Sequence, residues 1–260
     1  MRLHVRSWTP PGPTDAPTIV CVHGITQHGG VFEQLAQRLV AGGHRVLAVD
    51  LRGHGESGRL PPWTVAAHVQ DLLDTADAEA LDRPVWVAHS LGGLIAAALA
   101  DRAPERVGHL ALLDPALDLD PDQALMLAEN DRLDWSFESV DAAVDALLAA
   151  GFLVATPRET LMTYAGDDLR PGDDGRLRFR FLPSAAVTAW SEMTLPAPPV
   201  ARVPTLLARV EVPLLQGPAP APRYRDALGP LLTEVTLPNG HNIPWEAVDE
   251  AAAAIRAFLD

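Results

Sequence analysis

Val85-Trp86-Val87-Ala88-His89-Ser90-Leu91-Gly92-Gly93-Leu94-Ile95 is the stretch on which the fold turns. Val85 to Ala88 is a short apolar run, the pattern of a buried strand. Leu94 to Ala100 is rich in Ala and Leu and predicts a helix packed behind it. His89 to Gly93 must then make the whole strand-to-helix reversal, with Ser90 at its apex. A turn this tight needs small neighbours, and Ala88 and Gly92 supply them; a large side chain at Gly92 is expected to clash with Ala88. Such an elbow lifts the Ser90 hydroxyl above the sheet edge. The N-terminal N–H groups of the following helix face any negative charge that develops there.

Outward from the elbow, the same strand–loop–helix unit repeats. Thr18 to Val22 is a continuous β-branched run ending at His23-Gly24-Ile25, and Val31 to Val40 has helical spacing. His44 to Val49 is the next strand, running into Asp50-Leu51-Arg52-Gly53-His54-Gly55-Glu56-Ser57. That loop lacks the spacing of a phosphate cradle, so Asp50, Arg52 and His54 are read as residues that pin it. Trp63 to Ala80 is an amphipathic helix, and Val107 to Leu113 is a strand ending at Asp114-Pro115. Repetition of this unit implies a parallel, doubly wound sheet, with ligands bound beyond the carboxyl ends of its strands. His23, Asp50, Ser90 and Asp114 all stand at or just past such ends.

From Ala116 to Pro199 the alternation stops. Helices are predicted over Gln123–Asn130, Val140–Ala150, Arg158–Tyr164 and Ser184–Met193. The segment holds Trp135, Phe137, Phe152, Met162, Trp190 and Met193, more bulk than these helices need. It reads as a helical cap inserted over the cleft (residues 116–199) in a core made of residues 1–115 and 200–260. Trp135, Phe137, Phe152 and Trp190 are candidate substrate contacts. Arg176, Arg178 and Arg180 alternate with Leu177, Phe179 and Phe181. This is read as a solvated extended segment, against the rival reading of a basic strip that anchors a carboxylate substrate. The sheet resumes at Thr205 to Val210 and Thr233 to Leu237. Gly240-His241-Asn242 follows, and then an amphipathic terminal helix over Ala247–Leu259.

A chain of 260 residues fits one α/β domain with an insertion. The net charge of −14 disfavours nucleic acid and anionic membranes as partners. No apolar run reaches the ~18 residues of a membrane span, and the amino terminus lacks the apolar stretch of a secretory signal. A cytoplasmic protein acting on a small molecule is expected. Cys21 is the single cysteine and lies in a strand, so it reads as a buried apolar residue. No Cys/His cluster has metal-ligand spacing, so neither metal nor cofactor is expected.

Taken together, His23-Gly24-Ile25, the Asp50–Ser57 loop, His89-Ser90-Leu91-Gly92-Gly93 and Gly240-His241-Asn242 resemble the α/β-hydrolase superfamily, in its capped single-domain group. The resemblance implies Ser90 as nucleophile, His241 as general base and the backbone N–H groups of Ile25 and Leu91 as oxyanion donors. A Ser at the apex disfavours the branches that use Asp there. Ala88 replaces the first glycine of the family's elbow. The triad acid usually follows the strand that here ends at Val210, where Glu211 is the only carboxylate. Some members carry it instead after the strand leading into the cap, the place of Asp114. Asp114 is favoured, with Glu211 as the alternative. The activity implied is a serine hydrolase acting on a small, neutral, fairly apolar ester or lactone. A C–C bond hydrolase, lyase or perhydrolase of the same fold, or a ligand receptor with a vestigial triad, are the other readings.

Overall fold

The computed structural model describes residues 1–260. Seven strands form one sheet in the order β1-β3-β2-β4-β5-β9-β10. Its first half runs β1 (His4–Trp8), β2 (Ile19–Val22), α1 (Glu33–Ala41), β3 (Val46–Asp50), α2 (Val65–Ala78), β4 (Val85–His89), α3 (Leu91–Arg102) and β5 (His109–Leu113). All neighbours pair in parallel except β1, which lies antiparallel on the edge against β3. The sequence pattern explains the order. β2 is apolar throughout, β3 and β4 are apolar up to their last residues, Asp50 and His89, and all three are buried along their whole length, as central strands covered on both faces must be.

Strand alternation divides the core into two layers. Ile19 and Cys21 face one side, with α1 and the terminal helix, while Val20 and Val22 face the other, with α2 and α3. Helix starts follow local chemistry: the Thr64 side chain accepts from Ala67 N–H at the start of α2.

Between β5 and β9 (Thr205–Val210) the chain builds α4 (Pro121–Asp131), β6 (Ser136–Phe137), α5 (Val140–Ala149), α6 (Arg158–Asp168), β7 (Arg170–Pro171), β8 (Leu177–Arg178) and α7 (Pro183–Met193). The four expected helices are present. A small antiparallel sheet, ordered β6-β8-β7, was not foreseen, because strands of two residues leave no periodicity to read. The insertion packs in two ways. Residues of α4 and α7, including Trp190 and Met193, join the cluster under the main sheet. Phe137, Val144, Leu161 and Leu169 form a separate small cluster between α5, α6 and β6. Phe137 is thus consumed by the insertion's own core. The chain then completes β9, α8 (Ala221–Leu228), β10 (Leu232–Leu237), α9 (Ile243–Glu246) and α10 (Val248–Leu259). No helix is long and apolar enough to cross a membrane.

The reading of Gly175 to Phe181 as a solvated segment is corrected. Leu177 and Arg178 form the central strand of the small sheet, and Arg180 is buried against Asp168 and Glu56. A backbone bridge between His54 and Phe181 and the Leu182 N–H to Gly53 carbonyl bond (2.8 Å) attach this segment to the Asp50–Ser57 loop.

Candidate active site

β4 ends at His89, and Ser90 takes φ 55°, ψ −119°, a conformation a non-glycine residue rarely adopts. The turn is held by Ser90 itself: its N–H donates to the Leu113 carbonyl (3.2 Å), and its carbonyl accepts from Gly93 (2.8 Å) and Ala116 (3.1 Å). Crowding at Gly92 comes from a different direction than expected. A Cβ there would lie 2.2 Å from the Val22 carbonyl oxygen and 2.7 Å from that of His23, so the neighbouring strand β2, and not Ala88, forbids a side chain. Gly93 is the position nearer Ala88, and it is closed by Pro115.

Three side chains from three loops meet above the sheet. Ser90 Oγ is 2.9 Å from His241 Nε2, and His241 Nδ1 is 2.6 Å from Asp114 Oδ2. A carboxylate only accepts, so Nδ1 carries the proton and Nε2 is free to accept from the Ser90 hydroxyl. Asp114, at φ 45°, is tied by its N–H to the Ala208 carbonyl of β9 (2.9 Å). Glu211 sits elsewhere. Its N–H pairs with the Leu237 carbonyl, and its side chain is exposed with no bond to His241. Of the two carboxylates, the structure brings only Asp114 to the histidine.

The N–H groups of Ile25 and Leu91 have no hydrogen-bond partner within the chain. His23 shapes the loop that carries Ile25. Its Nδ1 donates to the Gly24 carbonyl (2.7 Å) while Nε2 accepts from Leu51 N–H (2.9 Å), which fixes a neutral tautomer. Burial pushes His23 down to about 3. His54 and His68, buried behind it, are likewise pushed down to about 3 by burial. Asp50 accepts from Gly29 (2.7 Å) and Glu56 (2.9 Å), and Arg52 pairs with the buried Asp71, so this loop is a brace.

The loop bearing His241 is fastened on two sides. His89 Nε2 donates to the His241 carbonyl (2.7 Å). Glu246 then accepts four bonds: Oε1 takes Val154 N–H, Ala155 N–H and Thr156 Oγ1–H, at 2.7, 3.1 and 2.9 Å, and Oε2 takes Gly240 N–H at 2.9 Å. One carboxylate therefore joins the α5–α6 connection to the residue preceding His241. Asn242 adds a bond from Nδ2 to the Phe152 carbonyl (2.8 Å). Glu246 escaped the sequence reading. Its one signal is a Glu inside an apolar turn five residues after His241.

A cavity of about 180 Å³ opens over Ser90 and His241. Of the four candidate substrate contacts, Trp135, Phe152 and Trp190 line it; Phe137 does not, for the packing reason above. Phe179, Phe181, Tyr164 and Trp245 line it as well and were missed. The alternation of residues 176–181 had two faces, and the apolar one turns inward. The arginines turn away: Arg176 bonds Ser136 and Glu138, Arg178 holds Asp134 and Asp174, and Arg180 holds Asp168 and Glu56. No group of three or more His, Cys, Asp or Glu is gathered so as to hold a metal ion.

A profile of the family described as alpha/beta hydrolase fold matches residues 17–177. The chain belongs to the α/β-hydrolase family. Among curated relatives, the α/β-hydrolase chain is 32% identical to lipase LipV of Mycobacterium tuberculosis, over 99% of this chain and 97% of that one. It is 36% identical to esterase YbfF of Escherichia coli, over 45% of each. Among solved structures it is similar to E-2-(acetamidomethylene)succinate hydrolase, with a TM-score of 0.85 and 25% identity over 99% of this chain and 95% of that one. The enol-lactonase from Burkholderia xenovorans LB400 has the same fold, with a TM-score of 0.78 at 22% identity over 99% and 96%. This α/β-hydrolase is a hydrolase of that fold.

Proposed function

We propose that the protein is a serine esterase, cleaving a small carboxylic ester or lactone through an acyl-enzyme. The observation that carries this is the hydrogen-bonded chain Ser90–His241–Asp114 at the mouth of an apolar cavity. Ser90 Oγ attacks the carbonyl carbon while His241 Nε2 takes its proton. Asp114 holds the imidazole in the accepting tautomer and stabilises the imidazolium. The Leu91 and Ile25 N–H groups stabilise the oxyanion, and their lack of partners in the chain leaves them available for it. His241 returns the proton to the leaving alcohol. A water molecule then attacks the acyl-enzyme, with the same histidine as base.

The names of the relatives, a lipase and an esterase, support an ester as substrate. The cavity sets its size. At about 180 Å³ it is close to the ~150 Å³ of a cavity that holds one benzene ring, which favours a medium acyl group over a long chain. Its wall has no arginine, and the net charge is −14, so a neutral ester is preferred to an anionic one. The test has two arms. Turnover of p-nitrophenyl esters graded from acetyl to dodecanoyl should peak near hexanoyl, and a fluorophosphonate probe should label Ser90. An unlabelled Ser90 with no ester turnover removes this function.

A further inference from the structure

The wall formed by the insertion contains a charge without a partner. Asp131 closes α4 and borders the cavity. Trp190 Nε1 donates to its Oδ2 at 2.7 Å, with the Asn130 amide beside it. It enters no ion pair, although the chain's arginines elsewhere pair freely with carboxylates. Two features make the site costly for a carboxylate. It is partly withdrawn from water, and burial raises its pKa accordingly. It also lies at a helix C-terminus, where the aligned backbone dipoles disfavour negative charge. A neutral amide would satisfy Trp190 as well. Stability alone therefore gives no reason for an acid here.

The surroundings supply a reason. Seven of the chain's fourteen Trp, Tyr and Phe residues line this one cavity. Two of them are tied to the end of α4 that carries Asp131: Trp135 Nε1 bonds the Asn130 carbonyl (2.9 Å), and Trp190 bonds Asp131 directly. No Arg lines the cavity, and Asp131 is its only carboxylate. A cavity lined by seven aromatic rings and one carboxylate is suited to an organic cation, whose charge ring faces and the acid both attract. The ion that Asp131 lacks within the chain is then supplied by the ligand.

We infer that the cavity takes an ester bearing an alkylammonium group of about trimethylammonium size, held by the Asp131 carboxylate and the aromatic rings beside it. This rests on the esterase reading for the reaction but not for the binding. The net charge of −14 steers such cations toward the protein.

The test compares matched pairs in which one carbon replaces the ammonium nitrogen: butyrylcholine with its neutral tert-butyl isostere, and the methyl ester of trimethylammoniobutyrate with its own neutral isostere. On the wild type, kcat/KM for the cation of at least one pair should exceed that of its isostere by tenfold or more. In Asp131→Asn, which keeps an acceptor for Trp190, that ratio should fall to about one. Binding is read separately, through quenching of tryptophan fluorescence by choline and by its neutral isostere. Choline should bind more tightly to the wild type and lose that advantage in the variant. Equal handling of every pair by the wild type, or a preference that survives in Asp131→Asn, overturns the subsite. If no ester is turned over and Ser90 stays unlabelled, the esterase reading falls, and the choline arm still decides the subsite.

Discussion

The floor and the roof of the cavity are built by opposite means. The floor is backbone: strand ends, an elbow at positive φ, and a glycine whose Cβ would meet a carbonyl oxygen at 2.2 Å. Its side chains are few, and His241 joins the two others, bonded to Ser90 through Nε2 and to Asp114 through Nδ1. The roof is side chain: aromatic rings on α6, α7 and the connections of the insertion, carried by two separate clusters and braced outside by arginine–carboxylate pairs. A floor of this kind tolerates almost no substitution because backbone cannot yield. A roof of this kind changes its lining by exchanging one large residue for another. Chemistry and selectivity thus lie on different materials.

The contrast is broken most severely at the apex. Ser90→Ala should lower kcat by about 10⁴-fold while leaving the thermal transition in place. A variant that kept a tenth of the wild-type rate would place the reaction away from the floor. Asp114→Asn should cost about 10³-fold, because the amide can offer its own N–H to His241 and favour the wrong tautomer; Glu211→Gln should change the rate less than twofold. The reverse order in steady-state assays would move the acid to the loop after β9.

Glu246 joins floor and roof, so its replacement sharpens the comparison. In Glu246→Gln only one oxygen remains. The three donors on the roof side retain it, and the amide nitrogen then faces Gly240 N–H, donor against donor. A fall in kcat of roughly tenfold is expected, with KM for the same ester changing less than threefold and the pH profile of kcat/KM displaced. A variant in which KM alone moves would make Glu246 a fastening of the roof only. The smallest effect belongs to the outside of the roof. Arg178→Ala should leave hydrolysis within twofold for neutral and carboxylate-bearing esters alike, since exposed ion pairs contribute little. A selective loss for the carboxylate ester would turn that arginine inward.

The same division governs how far the sequence could be read. Ser90, His241 and Asp114 are legible because strand ends and small-residue turns leave a local mark, and the parallel sheet then brings them together. Where the floor depends on a neighbour across the sheet, local reading fails: the strand pressing on Gly92 is β2, some seventy residues earlier. The helices of the insertion are legible from spacing, but the direction of its aromatic residues is not. From the sequence Phe137 reads as a cavity residue and Phe179 as part of a solvated segment. Only the packing of α5 on α6 assigns the first to the core and the second to the wall.

The imidazoles beneath the floor make the fold a proton-linked equilibrium. His23, His54 and His68 are neutral when folded, held down at about 3, whereas in the unfolded chain each titrates near 6.5. Below pH 6.5 the unfolded chain binds the additional protons, so the stability these groups contribute is complete above that pH and is lost as the pH falls toward 3. Asp168 acts in the opposite sense: burial raises it to about 6, and acid stabilises the fold through it between pH 6 and its unfolded value near 4. Three displaced imidazoles outweigh Asp168 and Asp131, the two carboxyls that burial raises. The melting temperature should therefore drop steadily from pH 7 to pH 4.5, and a flat profile in calorimetry would mean that these rings are charged or hydrated in the folded state. Hydrogen ion, at concentrations that leave most carboxylates ionised, is in this sense a specific ligand of the unfolded chain.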